Sequence, residues 1–244
     1  MRSCDARFSR HLATYDANAF VQRMLADKLV SLLAARTWRR RFGRVLDLGC
    51  GTGLLTRRFL RDFSCGEIFL YDLVPACGKF VSDIPGSRFF TADLNTPGLF
   101  PPADAILSGA CCQWLEEPRV LFRAAAQALP PGGFFAGSAF AAGNLEELAL
   151  CGGTPLVCPA AGTWRAALEE CGFVPEDFTC SCMTLHFSSP AAALRHLKTT
   201  GVLTPALKNC AEVRHFLDRY EKLRRPERGI PLTYRPVLWV ARKA

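Results

Sequence analysis

The sequence predicts an α/β protein built on a doubly wound, mostly parallel sheet of seven strands with a helical lid. Three observations carry that reading. Short apolar runs rich in β-branched and aromatic residues alternate with stretches of helical periodicity. The first run breaks into a glycine-rich turn, Gly49-Cys-Gly51-Thr-Gly53, before a helix begins. The chain's 244 residues, 50% of them hydrophobic, suffice for one full-sized core.

In chain order, Asp16 is placed to cap a helix running to Ala35, with Val21, Leu25, Leu29 and Leu32 on one face and Phe20 and Met24 beside them. Strands are expected at 44–48, 67–71, 88–91, 104–108 and 134–140, with helices at 54–63 and 117–129; the second helix stops before Pro130-Pro-Gly-Gly133. Strand and helix in alternation imply parallel strands joined by helical crossovers. Beyond them, Thr163 is placed to cap a short helix, Phe178–Phe187 reads as a strand, and Tyr234–Arg242 reads as the last one. Helices near 190–198 and 209–224 fall between these two strands, the second with Val213, Phe216, Leu217, Tyr220 and Leu223 on one face. The expected organisation is one domain over 1–244, with an N-terminal helical segment at 1–40 and a lid inserted at about 188–230.

The composition narrows the function classes. No window approaches the roughly eighteen unbroken apolar residues of a membrane span, and Met1 to Ser9 carries charges where an export signal needs an apolar core. A cytoplasmic chain without a membrane partner is expected. Its 12 cysteines include no C-x-x-C, so they read as free thiols packed as small apolar residues, and no metal site is expected. The net charge of +8 gathers at Arg36, Arg39, Arg40, Arg41 and Arg44, and again at Lys208, Arg214, Arg219, Lys222, Arg224, Arg225 and Arg228. Nucleic acid, an acidic carrier protein and plain solvation all remain open as explanations of that charge.

Ligands of open parallel sheets bind beyond the carboxyl ends of the strands, beside the first one. A dinucleotide site there would favour G-x-G-x-x-G, which aims a helix N-terminus at a pyrophosphate. Here the spacing is G-x-G-x-G, preceded by Asp47, and Asp72 ends the second strand, where a carboxylate can accept both hydroxyls of a ribose. With Thr91-Ala-Asp93-Leu94 after the third strand, this pattern resembles the class I S-adenosylmethionine-dependent methyltransferases. The resemblance implies the Rossmann-like methyltransferase fold, S-adenosylmethionine as cofactor, and Asp47, Gly49, Cys50, Gly51, Gly53, Asp72, Leu73, Asp93, Leu94 and Ser108 as the residues around it.

Further motifs are similar to those of one subfamily, the malonyl-acyl-carrier-protein O-methyltransferases of biotin synthesis. Phe8-Ser-Arg10, Tyr15 and Gln22-Arg23 match its F-x-R, tyrosine and Q-R elements. Gln113-Trp114 matches its Q-W, Arg195-His-Leu-Lys198-Thr-Thr-Gly201 its R-x-L-K-x-x-G, and Pro231-Leu-Thr-Tyr234 its P-L-T-Y. Two positions depart from the pattern: Cys77 stands where many members carry a methionine, and Ser108-Gly-Ala110 replaces Ser-Asn-Leu. The resemblance implies methyl transfer to the free carboxylate of a malonyl group on acyl carrier protein or coenzyme A. It points to Tyr15, Gln22, Trp114, Lys198 and Tyr234 as substrate contacts.

A malonyl carboxylate is already ionised near neutral pH, so no catalytic base is expected. His11, His186, His196 and His215 accordingly read as surface or packing residues. The competing readings are another small carboxylate or quinone-like substrate, a nucleic-acid methyltransferase, and a binding protein without catalysis. Ser108-Gly-Ala-Cys111 is not the Asn/Asp-Pro-Pro-aromatic loop of an amino-methylating nucleic-acid enzyme. Cys111 or Cys112 could act as a cytosine-C5 nucleophile only if activated. An intact glycine loop speaks against a protein that has lost its catalysis.

Overall fold

A computed structural model describes residues 3–202 and 209–244, for residues 3–7 in backbone only. Met1, Arg2 and residues 203–208, among them the basic residue Lys208, lie outside the described residues. The chain divides into two compact units.

The larger unit comprises residues 19–139, 159–180 and 237–244. Its sheet holds β1 (Arg41–Leu48), β2 (Ser64–Asp72), β3 (Ser87–Thr91), β4 (Ala105–Gly109), β5 (Phe134–Phe140), β6 (Phe173–Cys180) and the chain's last strand, β9 (Pro236–Lys243). The order is β3-β2-β1-β4-β5-β9-β6, parallel from β3 through β5, with β6 and β9 antiparallel. The order reverses between β1 and β4, which places a switch point where the glycine turn leaves β1. The predicted parallel strands are all present, with β1 and β2 each longer than expected by three residues at the start.

Helices α2 (Phe20–Arg36), α3 (Leu54–Asp62), α4 (Gly78–Val81), α5 (Pro118–Ala128) and α7 (Ala161–Glu170) belong to this unit. The α5 start follows from its sequence: Pro118 takes the first turn, and the Glu117 carboxylate accepts the Arg119 N–H. An aromatic nucleus of Phe122, Phe135, Trp164, Phe173 and Trp239 closes one side of the sheet, with Trp164 and Trp239 stacked at 6.2 Å. Each such ring contributes about 2–3 kcal/mol by leaving water.

Among the described residues, the smaller unit comprises 3–18, 140–158, 181–202 and 209–236. It contains α1 (Ser3–Asn18), α6 (Glu146–Leu150), β7 (Met183–Phe187), α8 (Pro190–Thr199), α9 (Cys210–Glu221) and β8 (Ile230–Tyr234), with β7 and β8 paired antiparallel. Gly201 follows α8 in the left-handed region at φ 74°, and a β-carbon there would come within 3.2 Å of the Phe8 ring. Two distant motifs, F-x-R and R-x-L-K-x-x-G, therefore meet at a residue whose backbone and surroundings favour glycine.

Four expectations are corrected. Asp16 lies inside α1 rather than capping a helix, because the chain breaks at Ala19 and α2 starts at Phe20. Thr163 sits in the first turn of α7, whose N-cap is Ala160. Phe178–Phe187 is two strands, with Cys180 ending β6 and Met183 opening β7 in a different sheet. Tyr234–Arg242 likewise splits at Arg235, whose N–H is taken by the Asn144 side chain.

Candidate functional site

Gly49, Gly51 and Gly53 all have positive φ, at 82°, 54° and 81°. The turn is tied to the neighbouring strand, because the N–H groups of Gly49 and Cys50 both donate to the Tyr71 carbonyl. Gly53 then begins α3, with Val81 and Ile84 packed against the space its missing side chain leaves.

Two carboxylates flank the turn. Asp47, fully buried in β1, accepts the Thr56 hydroxyl on Oδ2 at 2.5 Å, while its buried Oδ1 has no hydrogen-bond partner. Burial, reinforced by Asp72, pushes its pKa up to about 7. Asp72 accepts the Gly51 N–H on Oδ2 (2.8 Å) and the Val74 N–H on Oδ1 (2.9 Å). It therefore shapes the glycine turn directly, a role the sequence did not reveal. Leu73, beside it, is half-buried.

The third loop is joined to the others by hydrogen bonds. The Ala92 N–H donates to the Asp72 carbonyl, Asp93 Oδ1 accepts from both nitrogens of Asn95, and Asn95 Oδ1 accepts the Glu116 N–H. Leu94 is buried below Asp93 in sequence, and Cys77 is buried after β2. At the end of β4, the buried Ser108 hydroxyl donates to the Leu48 carbonyl and also touches Cys112. Its polar group thus holds β4 to β1. Gln113 is anchored by its amide to the Ala110 carbonyl, and Trp114 beside it is half-exposed. Gln22 on α2 has its buried Oε1 without a hydrogen-bond partner.

Cys111 and Cys112 are poor nucleophiles here. Burial pushes the thiol of Cys112 up to about 11 and that of Cys111 well above its ordinary value. Among the described residues there is no group of three or more histidines, cysteines or acids that could hold a metal, and no helix long and apolar enough to cross a membrane.

In the smaller unit, β8 is fixed from several sides. Glu147, buried, accepts the Thr233 N–H at 2.9 Å and the Thr233 hydroxyl at 2.5 Å, while the Tyr220 hydroxyl donates to the Pro231 carbonyl. Tyr234 is 2% exposed; its hydroxyl lies 2.9 Å from His196 Nε2. Burial, with Tyr15 and Glu147 nearby, pushes the Tyr234 phenol up. Tyr15 packs edge-on against Phe8 at 5.0 Å. Lys198 is exposed in the last turn of α8. Sequence reasoning read His196 as a surface or packing residue and assigned Glu147 no role. His196 has a faint signal, lying three residues after buried Ala193 and four before buried Thr200, on the inward face of α8.

A methyltransferase domain model matches residues 15–174. The chain belongs to the methyltransferase family. Over 97% of its length it is 34% identical to the malonyl-[acyl-carrier protein] O-methyltransferase of Chlorobium phaeovibrioides, covering 94% of that protein. It is 31% identical to the Haemophilus ducreyi protein of the same name, with 97% of this chain and 95% of that one aligned. Among solved structures, a putative methyltransferase from Bacillus halodurans superposes with a TM-score of 0.65 at 15% identity, over 88% of this chain and 98% of that one. The N-methyltransferase NodS from Bradyrhizobium japonicum, in complex with S-adenosyl-L-homocysteine, superposes with a TM-score of 0.60 at 12% identity, over 99% of each chain. This methyltransferase has the Rossmann-like methyltransferase fold.

Proposed function

We propose that this methyltransferase uses S-adenosylmethionine to methylate the free carboxylate of a malonyl thioester on acyl carrier protein, an early step of biotin synthesis in the cytoplasm. The observation that carries the proposal is the near-full-length similarity to proteins named for that reaction. The cofactor assignment also has support in the turn itself. A buried Asp47 oxygen without a partner suits an ammonium group, and the positive φ of all three glycines gives the turn a path that side chains rarely allow. Asp72 would hold the ribose hydroxyls, Asp93 and Leu94 would hold the adenine, and Cys50 and Leu73 belong to the same loops. Ser108 would act indirectly, through its hold on the end of β1.

Bound S-adenosylmethionine supplies an electrophilic methyl group. The chain's own residues then have to align an ionised carboxylate and keep water away, without moving a proton. Tyr15 and Tyr234 are proposed to donate to the malonyl carboxylate, Lys198 to supply positive charge, Gln22 a polar contact, and Trp114 an aromatic face for the cationic donor. Of these residues Tyr15, Lys198 and Tyr234 belong to the smaller unit, and Gln22 and Trp114 to the larger. The many unpaired thiols from Cys50 onward suit a reducing compartment.

The test is methyl incorporation read by mass spectrometry. Purified protein is given S-adenosylmethionine with malonyl-acyl carrier protein, malonyl-coenzyme A or transfer RNA. A methyl ester on the malonyl thioester is expected; label on RNA alone, or on none of the three, overturns the reading.

A further inference from the structure

The smaller unit contains a part-buried polar contact, between Tyr234 and His196. Tyr234 is buried with its ring 5.8 Å from Phe140, and its strand is locked in register by Glu147 through Thr233. The hydroxyl can therefore shift little. It lies 2.9 Å from His196 Nε2, on a ring that packs 5.3 Å from Phe187.

Which of the two atoms carries the shared hydrogen decides what Tyr234 can do. A phenol has one hydrogen and two acceptor lone pairs, whereas a carboxylate only accepts. If the phenol gave its hydrogen to Nε2, it would present lone pairs to an anion and repel it. If Nε2 donates instead, the phenol hydrogen is left for the carboxylate, and accepting a hydrogen bond makes the phenol a better donor. Burial pushes the His196 pKa down, so the ring is neutral near neutral pH and has one N–H to place.

We propose that His196 is a positioning residue for Tyr234: its Nε2–H donates to the phenol oxygen and leaves the phenol hydrogen for the substrate carboxylate. The inference rests on the reading of Tyr234 as a carboxylate contact and assigns His196 a role in selecting an anionic substrate. It reverses the expectation that the histidine only packs.

Two measurements test it. Nitrogen-15 NMR of labelled histidine in the intact protein reads the tautomer directly; a protonated Nε2 is expected, and a bare Nε2 overturns the proposal. A double-mutant cycle with His196→Phe and Tyr234→Phe reads KM and kcat for the malonyl thioester. His196→Phe should raise KM about three- to tenfold, as for one lost hydrogen bond, with a smaller change in kcat. His196→Gln, which keeps an N–H donor, should recover most of the loss. In the Tyr234→Phe background, His196→Phe should add nothing. If Tyr234→Phe raises KM and His196→Phe does not, the positioning role is wrong while the carboxylate reading stands. If Tyr234→Phe leaves KM unchanged, the carboxylate reading of Tyr234 fails, and the positioning role falls with it. Should His196→Phe not fold, the NMR result and the Gln variant decide.

Discussion

Cys111 occupies the space over Gly49 that a side chain would need. A β-carbon built on Gly49 would overlap Cys111 Sγ and lie 2.6 Å from Cys111 Cβ, so the loop after β4 closes directly onto the glycine turn after β1. Gly49→Ala meets two penalties: the left-handed φ of 82°, at about 1–2 kcal/mol, and the clash, at about 1–3 kcal/mol. Thermal melting should show a drop of roughly 5–15 °C. Cys111→Ala should not rescue it, because the Cys111 β-carbon itself is too close. Gly49→Ala with Cys111→Gly should recover the steric part alone. A Gly49→Ala protein that melts like the parent would show that the two loops are not packed this way.

Asp72 is the next position where geometry sets an expectation. Its two oxygens accept the N–H groups of Gly51 and Val74, so removing the carboxylate loosens the turn as well as any ribose contact. Asp72→Ala should weaken S-adenosylhomocysteine binding by roughly 2 kcal/mol or more, about thirtyfold, read by calorimetry. Asp72→Asn should do little better, since an amide NH2 would face one of the two N–H donors. NAD should give no heat with the parent protein. NAD binding without any response to S-adenosylhomocysteine would reverse the cofactor assignment.

The buried Asp47 predicts a pH dependence. Its folded pKa is raised from an ordinary 3.8 to about 7. Between those values the unfolded chain has released a proton that the folded chain retains, so this group makes the folded state less stable as pH rises from about 4 to about 7. Asp47→Asn keeps an oxygen for the Thr56 hydroxyl and does not titrate. Denaturant melts should show the variant gaining on the parent across that window by on the order of 1–4 kcal/mol, with no further gain above pH 8. A stability difference that stays flat from pH 4 to 8 would mean that Asp47 titrates normally.

Much of this architecture is legible in the sequence because its signals are local. The β1 run, the glycine turn and α3 change periodicity within a few residues, and Glu117-Pro118 marks a helix start by itself. What could not be read is set by distant partners. Apolar residues continue across Cys180-Ser-Cys182 and across Arg235, so each stretch reads as one strand; only pairing partners elsewhere in the chain assign the halves to different sheets. Ala19 lies between two stretches that both favour helix, and its own type gives no reason for the break. The aspartates of the glycine turn stand out by position, whereas Glu147 lies in Asn-Leu-Glu-Glu-Leu and reads as a wet helix residue until Thr233 is placed beside it.

The remaining expectation concerns the basic face of α9 and the segment after it. Phe216 and Tyr220 are buried, and Arg214, Lys222 and Arg225 are exposed. Arg219, which the sequence placed with them, donates to the Leu150 carbonyl at 2.7 Å, and Arg224 pairs with Glu221, so neither is a clean probe of steering. The first basic cluster is largely neutralised within the larger unit: Arg36 pairs with Asp177, Arg39 with Asp104 and Arg44 with Glu67. If an acidic carrier protein brings the substrate, exposed charge should act mainly on its rate of encounter, an effect screened by salt over about 8–10 Å. Reversing Arg214, Lys222 and Arg225 to Glu should therefore lower kcat/KM for malonyl-acyl carrier protein most strongly at low salt and leave a small malonyl thioester almost unchanged. Lys198→Met, at the proposed carboxylate contact, should harm both substrates alike at every salt concentration. Charge reversals that affect neither substrate, or both equally, would mean that this face is only solvated and that the carrier docks elsewhere.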